Sequence, residues 1–330
     1  PETRALALAY LKLALRLAST FDFSTAVQFS EKSFHLLVRT GYDPAQIALA
    51  KPTIIPWLVA IGHYEKLTEL CTEVLTLAPS ADASFYSIIH FSLALGLLES
   101  GFKEQAILHF RANSELTQSI FGDKSVEVFE ANLFVVMGLL DAGRENEGWS
   151  LLNALEERYP ELAKVFDGEI AEIRHSSSSS GLGGSPDEVE EVLSRLVAKY
   201  GKYSFRTFNV HTMLAEARVR NGQVDAGFAT FEDLLHGIES TCGTQTLYYI
   251  RALRALAQSY KFVGRYEEEL STLRTVVTLS EQVLGESSLD TIMSTNSLVA
   301  RLWECGRYQD GLRLASIARA RAQATLPLSD

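Results

Sequence analysis

Apolar residues recur along this chain with the spacing of a helix, and glycines interrupt the pattern at regular intervals. Ahead of Gly264, for example, stands the apolar pair Leu256-Ala257, followed by Tyr260 four residues after the first of the pair. This spacing places the side chains on one face of an α-helix. Tyr266 then opens a second helical stretch of about 18 residues that runs to Gly285. The pattern predicts helical hairpins, each made of a first helix, a turn and a second helix.

The glycines keep a fixed step of 42 residues. One series marks the turns inside hairpins and includes Gly101, Gly143, Gly222, Gly264 and Gly306. A second series is offset by 21 residues and consists of Gly201, Gly243 and Gly285. A period of this size, divided in half, is typical of a two-helix repeat stacked into a solenoid. A repeat array also explains how 330 residues can fold without one large core, because each repeat contacts only its neighbours.

Two runs resemble the tetratricopeptide repeat (TPR): Leu298-Val299-(x)2-Leu302-(x)3-Gly306-Arg307-Tyr308, and the run from Leu256 to Tyr266. The 42-residue step exceeds the standard TPR length of about 34 residues. It is similar to the kinesin-light-chain type, whose second helix often ends in Leu-Gly-(x)n-Asp-Thr, as in residues 284–291 here. The resemblance implies an all-α fold, a right-handed α-solenoid (superhelix) of about eight TPR-like helical hairpins.

The chain departs from the TPR pattern at the position five residues after the turn, where alanine is usual. Ala26 and Ala106 keep the alanine, whereas other hairpins carry Leu67, Gly148, Gly227, Glu269 and Gly311.

Extrapolating the 42-residue step gives turns near Phe21, Gly62, Gly101, Gly143, residues 181–185, Gly222, Gly264 and Gly306. We therefore predict one TPR-like solenoid over residues 1–330. The fifth turn contains a serine run followed by Gly181-Leu182-Gly183-Gly184-Ser185. We interpret residues 176–185 as a Ser/Gly-rich flexible turn insertion within the fifth repeat, between helices at 161–174 and 187–200. It is either a natural low-complexity insertion or an engineered splice, and its pure composition favours the splice.

Pro52 and Pro56 fall inside the first helix of the second hairpin. Proline in a helix interior removes a hydrogen bond and clashes with the preceding turn. We expect this helix to bend there or to start late.

The formal net charge of −11, from 41 acidic and 30 basic residues, opposes nucleic-acid binding, which needs a basic surface. No apolar stretch is long enough to predict a membrane span. Cys71, Cys242 and Cys305 lie far apart and form no metal-binding motif. They suggest buried or half-buried free thiols in a reducing compartment, so we expect an intracellular, cytoplasmic protein, with the nucleus as an alternative.

The chain contains no HExxH, G-x-S-x-G or Walker motif, and its seven histidines have no metal-ligand spacing. We therefore expect no enzyme activity, no metal and no cofactor.

In TPR folds the first helices line a concave groove, and the resemblance implies the same here. The groove-facing positions are those 13, 10, 6 and 3 residues before the turn glycine. In the last three hairpins they supply our predicted peptide- or partner-binding site: Asn209, Arg251, Arg254, Gln258, Lys261 and Asn296. Asparagine can hold peptide amides, and arginine can hold carboxylates in bidentate fashion. The alternative is a solvated face paired with local acids such as Glu216.

The same positions in the third and fourth hairpins are mostly apolar and define a candidate apolar groove of Phe91, Leu95, Leu133 and Met137. This stripe is either a hydrophobic binding pocket or a surface covered by a neighbouring turn of the superhelix.

These features favour a protein–protein interaction module that binds a peptide or partner domain in the concave groove. The alternative is a ligand-sensing or autoinhibitory regulatory domain of a larger signalling protein, because kinesin-light-chain-like repeats also occur in STAND-type ATPases. The expected partner is thus a protein or peptide, and a homo-oligomer or an intramolecular partner domain stays open.

Overall fold

The computed structural model describes residues 2–78, 82–176, 185–286 and 288–325. Every regular element in these ranges is a helix. Backbone contacts divide the chain into two compact units: unit 1 is Pro1–Val59 with His63–Gly181, and unit 2 is Ala60–Gly62 with Leu182–Asp330. Residues 177–184 of the predicted Ser/Gly insertion lie outside the described residues. The single uninterrupted solenoid and the flexible insertion therefore stay predictions.

Helices of unit 1 pair into antiparallel hairpins. In chain order they are α1 (Glu2–Ala18), α2 (Phe23–Arg39), α3 (Pro44–Ala50), a 3-10 helix (Lys51–Ile54), α4 (Ile55–Ala60), α5 (Tyr64–Leu77), α6 (Ala83–Glu99), α7 (Lys103–Phe121), α8 (Val126–Asp141), α9 (Glu145–Arg158), α10 (Pro160–Val165) and α11 (Asp167–Ser176).

Unit 2 continues the same arrangement. Its helices are α12 (Pro186–Tyr200), α13 (Phe208–Arg220), α14 (Val224–Cys242), α15 (Leu247–Phe262), α16 (Tyr266–Leu284), α17 (Leu289–Glu304) and α18 (Tyr308–Thr325). The first helices are α13, α15 and α17, and each packs on the second helix that follows it. Hairpins joined by contacts between neighbours are the construction of an all-α repeat solenoid.

The predicted turns are confirmed by their backbone, except the fifth, of which residues 181–184 lie outside the described residues. At the turn glycines φ lies in the left-handed region, from 68° at Gly62 to 85° at Gly101. In these turns the N–H of the residue after the glycine donates to a carbonyl in the last helical turn, as Phe102 N–H does to the Leu97 carbonyl at 2.8 Å. This is the Schellman type of helix end, which favours glycine because it has no Cβ. Phe21 occupies the same conformation with φ of 64°, so the first hairpin carries some backbone strain.

The prolines interrupt the first helix of the second hairpin as expected. Helix α3 ends at Ala50, Pro52 lies in the first turn of the 3-10 helix, and Pro56 is the second residue of α4. Each proline thus sits near a helix start, where its missing N–H costs little.

The predicted single helix over 161–174 is wrong, because α10 and α11 are separate helices that meet at Phe166. Phe166 is almost fully buried and its ring stacks on Phe129 with a centroid distance of 5.2 Å. The helix is interrupted at the residue whose ring packs in the core.

The departures at the usual alanine position have a steric explanation. A Cβ on Gly227 would lie 2.5 Å from Val219 Cγ2 and 3.0 Å from the Ala215 carbonyl oxygen. Here glycine makes room for a larger side chain on the facing first helix. At Glu269 the explanation is electrostatic. The charge of its buried carboxylate is compensated by an ion pair with the buried Arg301 on α17.

Candidate functional site

Most of the predicted site residues lie exposed on the first helices of unit 2. Helix α13 carries Asn209, and α17 carries Asn296. Helix α15 carries the other three, Arg251, Gln258 and Lys261. All five side chains are exposed. Their exposure follows from the repeat pattern, because the neighbouring positions Leu253, Ala257 and Leu298 turn into the core. The face they form is called the polar first-helix face below.

Arg254 is the exception within this set. Its side chain is half-buried, and Nη1 and Nη2 each donate to Asp290 Oδ1 at 3.3 Å. Nη2 also donates to Ser294 Oγ at 3.0 Å. Arg254 therefore ties α15 to α17, and much of its charge is already compensated by Asp290.

A cleft of about 320 Å³ opens between α13 and α15 near their C-terminal ends. Gln258 and Lys261 line it together with Glu216, Arg220 and Phe262, and Val219 and Ser259 complete its wall. Phe262 is 61% exposed, an unusual position for a large aromatic ring. The volume of the cleft lies at the lower end of the range of about 300–1,000 Å³ that is usual for small-molecule sites.

Charges around this cleft are of both signs. Burial raises the pKa of the Glu216 carboxyl, against the opposing charge of Arg220. Glu216 Oε1 lies 3.8 Å from Arg220 Nη2, and Lys261 Nζ lies 3.9 Å from Glu304 Oε1. These separations are long for ion pairs, so an acidic group from a ligand could compete with Glu304 for Lys261 at small cost.

Sequence reasoning missed Arg220 and Phe262 as cleft residues. Both fall within two residues of a turn glycine, beyond the four positions taken as groove-facing. Asn209 and Asn296 do not line the cleft. On α17 the exposed Met293 and Trp303 lie to either side of Asn296 in the sequence and add apolar surface to the same helix.

The candidate apolar residues of unit 1 are distributed differently. Phe91 and Leu95 are half-buried, and the Phe91 ring packs edge-on against Phe134 at 4.7 Å between centroids. Leu133 is only 3% exposed and belongs to the core around Phe129 and Phe166, whereas Met137 is 43% exposed. The four side chains thus do not form one exposed surface within unit 1.

A second cleft, of about 430 Å³, lies between α12, α13 and α14. Its charged side chains are already paired: Lys202 Nζ and Tyr203 Oη both donate to Asp233 Oδ1, at 2.9 and 2.7 Å, and Arg218 donates to Glu190 and Thr230. His211 is buried here, and burial lowers its pKa against the opposing effects of the Thr207 backbone and Asp233. The paired charges of Lys202, Asp233, Arg218 and Glu190 join the segments around this cleft, whereas the buried Nδ1 of His211 has no hydrogen-bond partner among the described residues.

The part of the chain that the structure describes was searched for metal-binding clusters and for membrane-spanning helices. No group of three or more His, Cys, Asp or Glu side chains is placed to hold a metal ion. None of its helices is both long and apolar enough to cross a lipid bilayer.

Comparison with known proteins supports the fold. No family model and no curated protein matches the chain. Among solved structures, the apo form of the quorum sensor NprR from B. thuringiensis aligns with a TM-score of 0.56 at 10% identity, covering 96% of this chain and 88% of NprR.

Two further structures align with lower scores. A Rap protein complexed with competence and sporulation factor gives a TM-score of 0.49 at 11% identity, covering 96% of this chain and 76% of Rap. A Podosopora anserina kinesin-light-chain-type protein with nearly identical TPR-like repeats gives 0.37 at 14% identity, covering 75% of this chain and 99% of that one. These two likenesses are too weak to add to the argument. The hairpin architecture and the likeness to NprR define the class of the chain by its fold alone, an all-α repeat solenoid with a TPR-like fold.

Proposed function

We propose that the chain is a protein-interaction module that binds an extended, acidic peptide segment of a partner protein on the polar first-helix face of unit 2. The observation that carries the proposal is the run of exposed hydrogen-bonding and cationic side chains on three successive first helices, beside a cleft with an exposed Phe262. A TPR-like fold is compatible with many functions, and the chemistry of this face distinguishes peptide binding from the others.

The side chains on the face suit a peptide backbone. The amides of Asn209, Gln258 and Asn296 each offer donors and an acceptor, which match the N–H and C=O groups of an extended chain. Helices pack about 8–10 Å apart, so three of them span roughly 16–20 Å, or about five to six extended residues at ~3.3 Å each. The peptide segment in contact is therefore short.

The cations give the peptide its expected composition. Arg251 and Lys261 lie exposed about three helical turns apart on α15. Arginine pairs with carboxylates in bidentate fashion, and lysine attracts them as a point charge. Phe262 lines the same cleft as Lys261, and Trp303 is exposed on α17. A bound peptide would carry acidic residues with at least one apolar side chain.

The proposal is tested with Arg251→Glu combined with Lys261→Glu. Arg254 is left unchanged, because a glutamate there would face Asp290 and disturb the contact between α15 and α17. An array of acidic six-residue peptides is screened by fluorescence anisotropy, and the peptide that binds the wild type most tightly is used to compare the variants. Hydrogen bonds to charged groups contribute about 1.5–3 kcal/mol each, so we expect the double variant to bind at least about tenfold more weakly.

The matched control is Arg274→Glu with Arg313→Glu, which reverses two exposed cations on the second helices of unit 2. It changes the net charge equally and should leave peptide affinity unchanged. Equal weakening by both double variants would mean that only the overall charge matters, and unchanged binding in the Arg251 variant would remove this face as the site. The sensory or autoinhibitory alternative stays a hypothesis that no contact among the described residues favours.

A further inference from the structure

The connection between α12 and α13 departs from the repeat. Residues 201–207 separate these two helices, whereas only four residues separate α14 from α15 and α16 from α17. Helix α13 begins at Phe208, 14 residues before Gly222, whereas α15 begins at Leu247, 17 residues before Gly264. An ordered loop thus replaces the first three residues of this first helix. Such a departure points to a function, because loops on a rigid scaffold often carry binding residues.

This loop is fixed on the rest of unit 2 by hydrogen bonds and packing. The fully buried Thr207 accepts the Ser204 N–H at its Oγ1, at 3.0 Å. Tyr203 Oη donates to Asp233 Oδ1 on α14 at 2.7 Å. The Tyr203 ring also packs directly on Gly237 of α14, where an added Cβ would lie only 2.2 Å from Tyr203 Cδ1. The loop therefore holds its remaining side chains in defined positions.

Phe205 is exposed within this fixed loop. Its side chain is 54% exposed, although Phe208, three residues later, is buried. The Phe205 ring stacks on the Tyr248 ring of α15, with a centroid distance of 5.1 Å and an angle of 26° between the planes. Phe208 contacts both rings from the core, at centroid distances of 6.0 and 5.9 Å. Phe205 and Tyr248 are called the aromatic pair below. Because the pair is already positioned, a ligand ring would bind it at a small cost in conformational entropy.

The aromatic pair adjoins the polar first-helix face. Tyr248 and the exposed Arg251 are three residues apart on α15, so their side chains share one side of that helix. Phe205 precedes the exposed Asn209 by four residues, and Asn209 is the second residue of α13. The pair thus lies at the N-terminal ends of α13 and α15, beside two of the residues that are proposed to hold the peptide.

The segment 199–206 is basic. It contains Lys199, Lys202 and Arg206 and no acidic residue, in a chain whose net charge is −11. The exposed Lys199 and Arg206 lie over the Tyr200 ring, 5.1 and 5.8 Å from its centre. Charge complementarity therefore favours a ligand with carboxylates close to the ring that it places on the aromatic pair.

We propose that the aromatic pair binds an aromatic side chain of the acidic peptide segment, so that the partner's motif combines one aromatic residue with carboxylates. This inference rests on the function proposed above and makes Phe205 a specificity-determining residue of that site. A peptide ring would contact the exposed part of Phe205 by offset stacking or edge-on, while Arg206 attracts a neighbouring carboxylate. Rigid aromatic rings in preformed positions are typical of the residues that dominate an interface.

Charge disfavours two other occupants of this place. In a symmetric dimer through the aromatic pair, the two copies would bring their basic segments 199–206 together. Single-stranded nucleic acid also stacks on exposed aromatic rings beside cations, but the net charge of −11 opposes the approach of its phosphates.

The test uses the whole chain and the array of acidic six-residue peptides, each made in two forms that carry phenylalanine or alanine at both ends. Affinity is measured by fluorescence anisotropy. With the wild type, we expect the phenylalanine form to bind at least about fivefold more tightly than the alanine form. Phe205→Ala should remove this preference, and Phe205→Tyr should keep it.

Phe102→Ala is the matched control, because Phe102 is a similarly exposed phenylalanine in unit 1, and it should keep the wild-type preference. Circular dichroism verifies that each variant folds. No phenylalanine preference in the wild type, the same preference in Phe205→Ala, or its loss in Phe102→Ala would overturn the inference while leaving the peptide site itself intact.

The variant Arg251→Glu with Lys261→Glu separates the inference from the proposed function. It should weaken both peptide forms alike and leave the ratio of their affinities unchanged. If its affinities equal those of the wild type while the preference still depends on Phe205, the peptide site on the polar first-helix face is wrong and the aromatic pair stands. If no peptide of either form binds, both proposals are wrong. Phe205-dependent binding of a single-stranded oligonucleotide, or Phe205-dependent dimerisation in sedimentation, would then identify the occupant as nucleic acid or a second copy.

Discussion

The first helices of the two units occupy the same place in the repeat but present different surfaces. In unit 2 the exposed positions of α13, α15 and α17 carry Asn209, Arg251, Gln258, Lys261 and Asn296. In unit 1 the exposed first-helix side chains include Leu6, Leu13, Ile88 and Met137. Because each hairpin contacts only its neighbours, the exposed positions of one hairpin can change their chemistry without disturbing those of the others. The repeat thus fixes which positions are exposed but leaves their chemistry free.

The interiors of the units differ as well. Unit 1 holds an aromatic core in which Phe129 and Phe166 stack and Leu133 is buried beside them. Unit 2 places a buried ion pair, Glu269 with Arg301, at a position where unit 1 has the fully buried Ala106.

The largest effect is expected at the buried ion pair of unit 2. Both Glu269 and Arg301 are 6% exposed at the side chain, and the Arg301 guanidinium also lies 4.2 Å from the centre of the Tyr266 ring. Removing one partner leaves a buried charge without its counter-ion, so Arg301→Ala should lower the free energy of unfolding by about 3–5 kcal/mol. Chemical denaturation followed by circular dichroism measures this loss.

Replacing both partners, Arg301→Met with Glu269→Met, is the control, and it should recover most of the loss because no unpaired charge remains. If the single and double variants are equally unstable, the damage comes from packing rather than from charge.

A smaller loss of stability is expected in unit 1, and it should differ between two residues of the candidate apolar groove. Leu133→Ala removes a 3% exposed side chain and should cost about 2–5 kcal/mol, whereas Met137 is 43% exposed and Met137→Ala should cost under about 1 kcal/mol. Hydrogen exchange measured by mass spectrometry localises the loss, which should appear in α8 and α9. Similar costs for the two variants would show that Leu133 is not a core residue.

The smallest effect concerns pH. His90 on α6 and His109 on α7 are half-buried, and their Nδ1 atoms are 2.8 Å apart, so one ring donates and the other accepts. Burial lowers the pKa of both imidazoles from the ordinary 6.5, and the charge of His109 lowers that of His90 further. The unfolded chain therefore takes up protons first as the pH falls. The pair's contribution to stability is present above pH 6.5 and is lost as the pH falls below it toward the lowered values.

Melting temperatures between pH 7.5 and 5.5 test this expectation. His90→Gln with His109→Gln should melt with a shallower pH dependence than the wild type, although His211 in unit 2 still contributes. The exposed His35 provides the control His35→Gln, which should keep the wild-type slope. An unchanged slope in the double variant would contradict the assignment.

Much of the fold could be predicted because repeats reduce it to a local problem. Left-handed glycines at a 42-residue step mark the turns, and the apolar pairs ahead of them mark the buried faces. The same register correctly placed Arg251, Gln258 and Lys261 on an exposed face. It failed at Phe166, where a buried ring separates two helices that the pattern joins.

The sequence by itself determined most of the helices and turns, and the exposed positions of Arg251 and Lys261 on α15, because these depend on spacing along a single helix. Tertiary structure alone decided that Arg254, among the predicted cations, is bonded to a carboxylate of the next first helix. Its partner Asp290 lies 36 residues later in the chain. It also decided that Glu269 finds Arg301, and that Phe262 borders a cleft with Glu216 and Arg220 from another helix. Such pairings join helices from different hairpins, and a pattern of period 42 repeats positions without specifying which side chains meet across them.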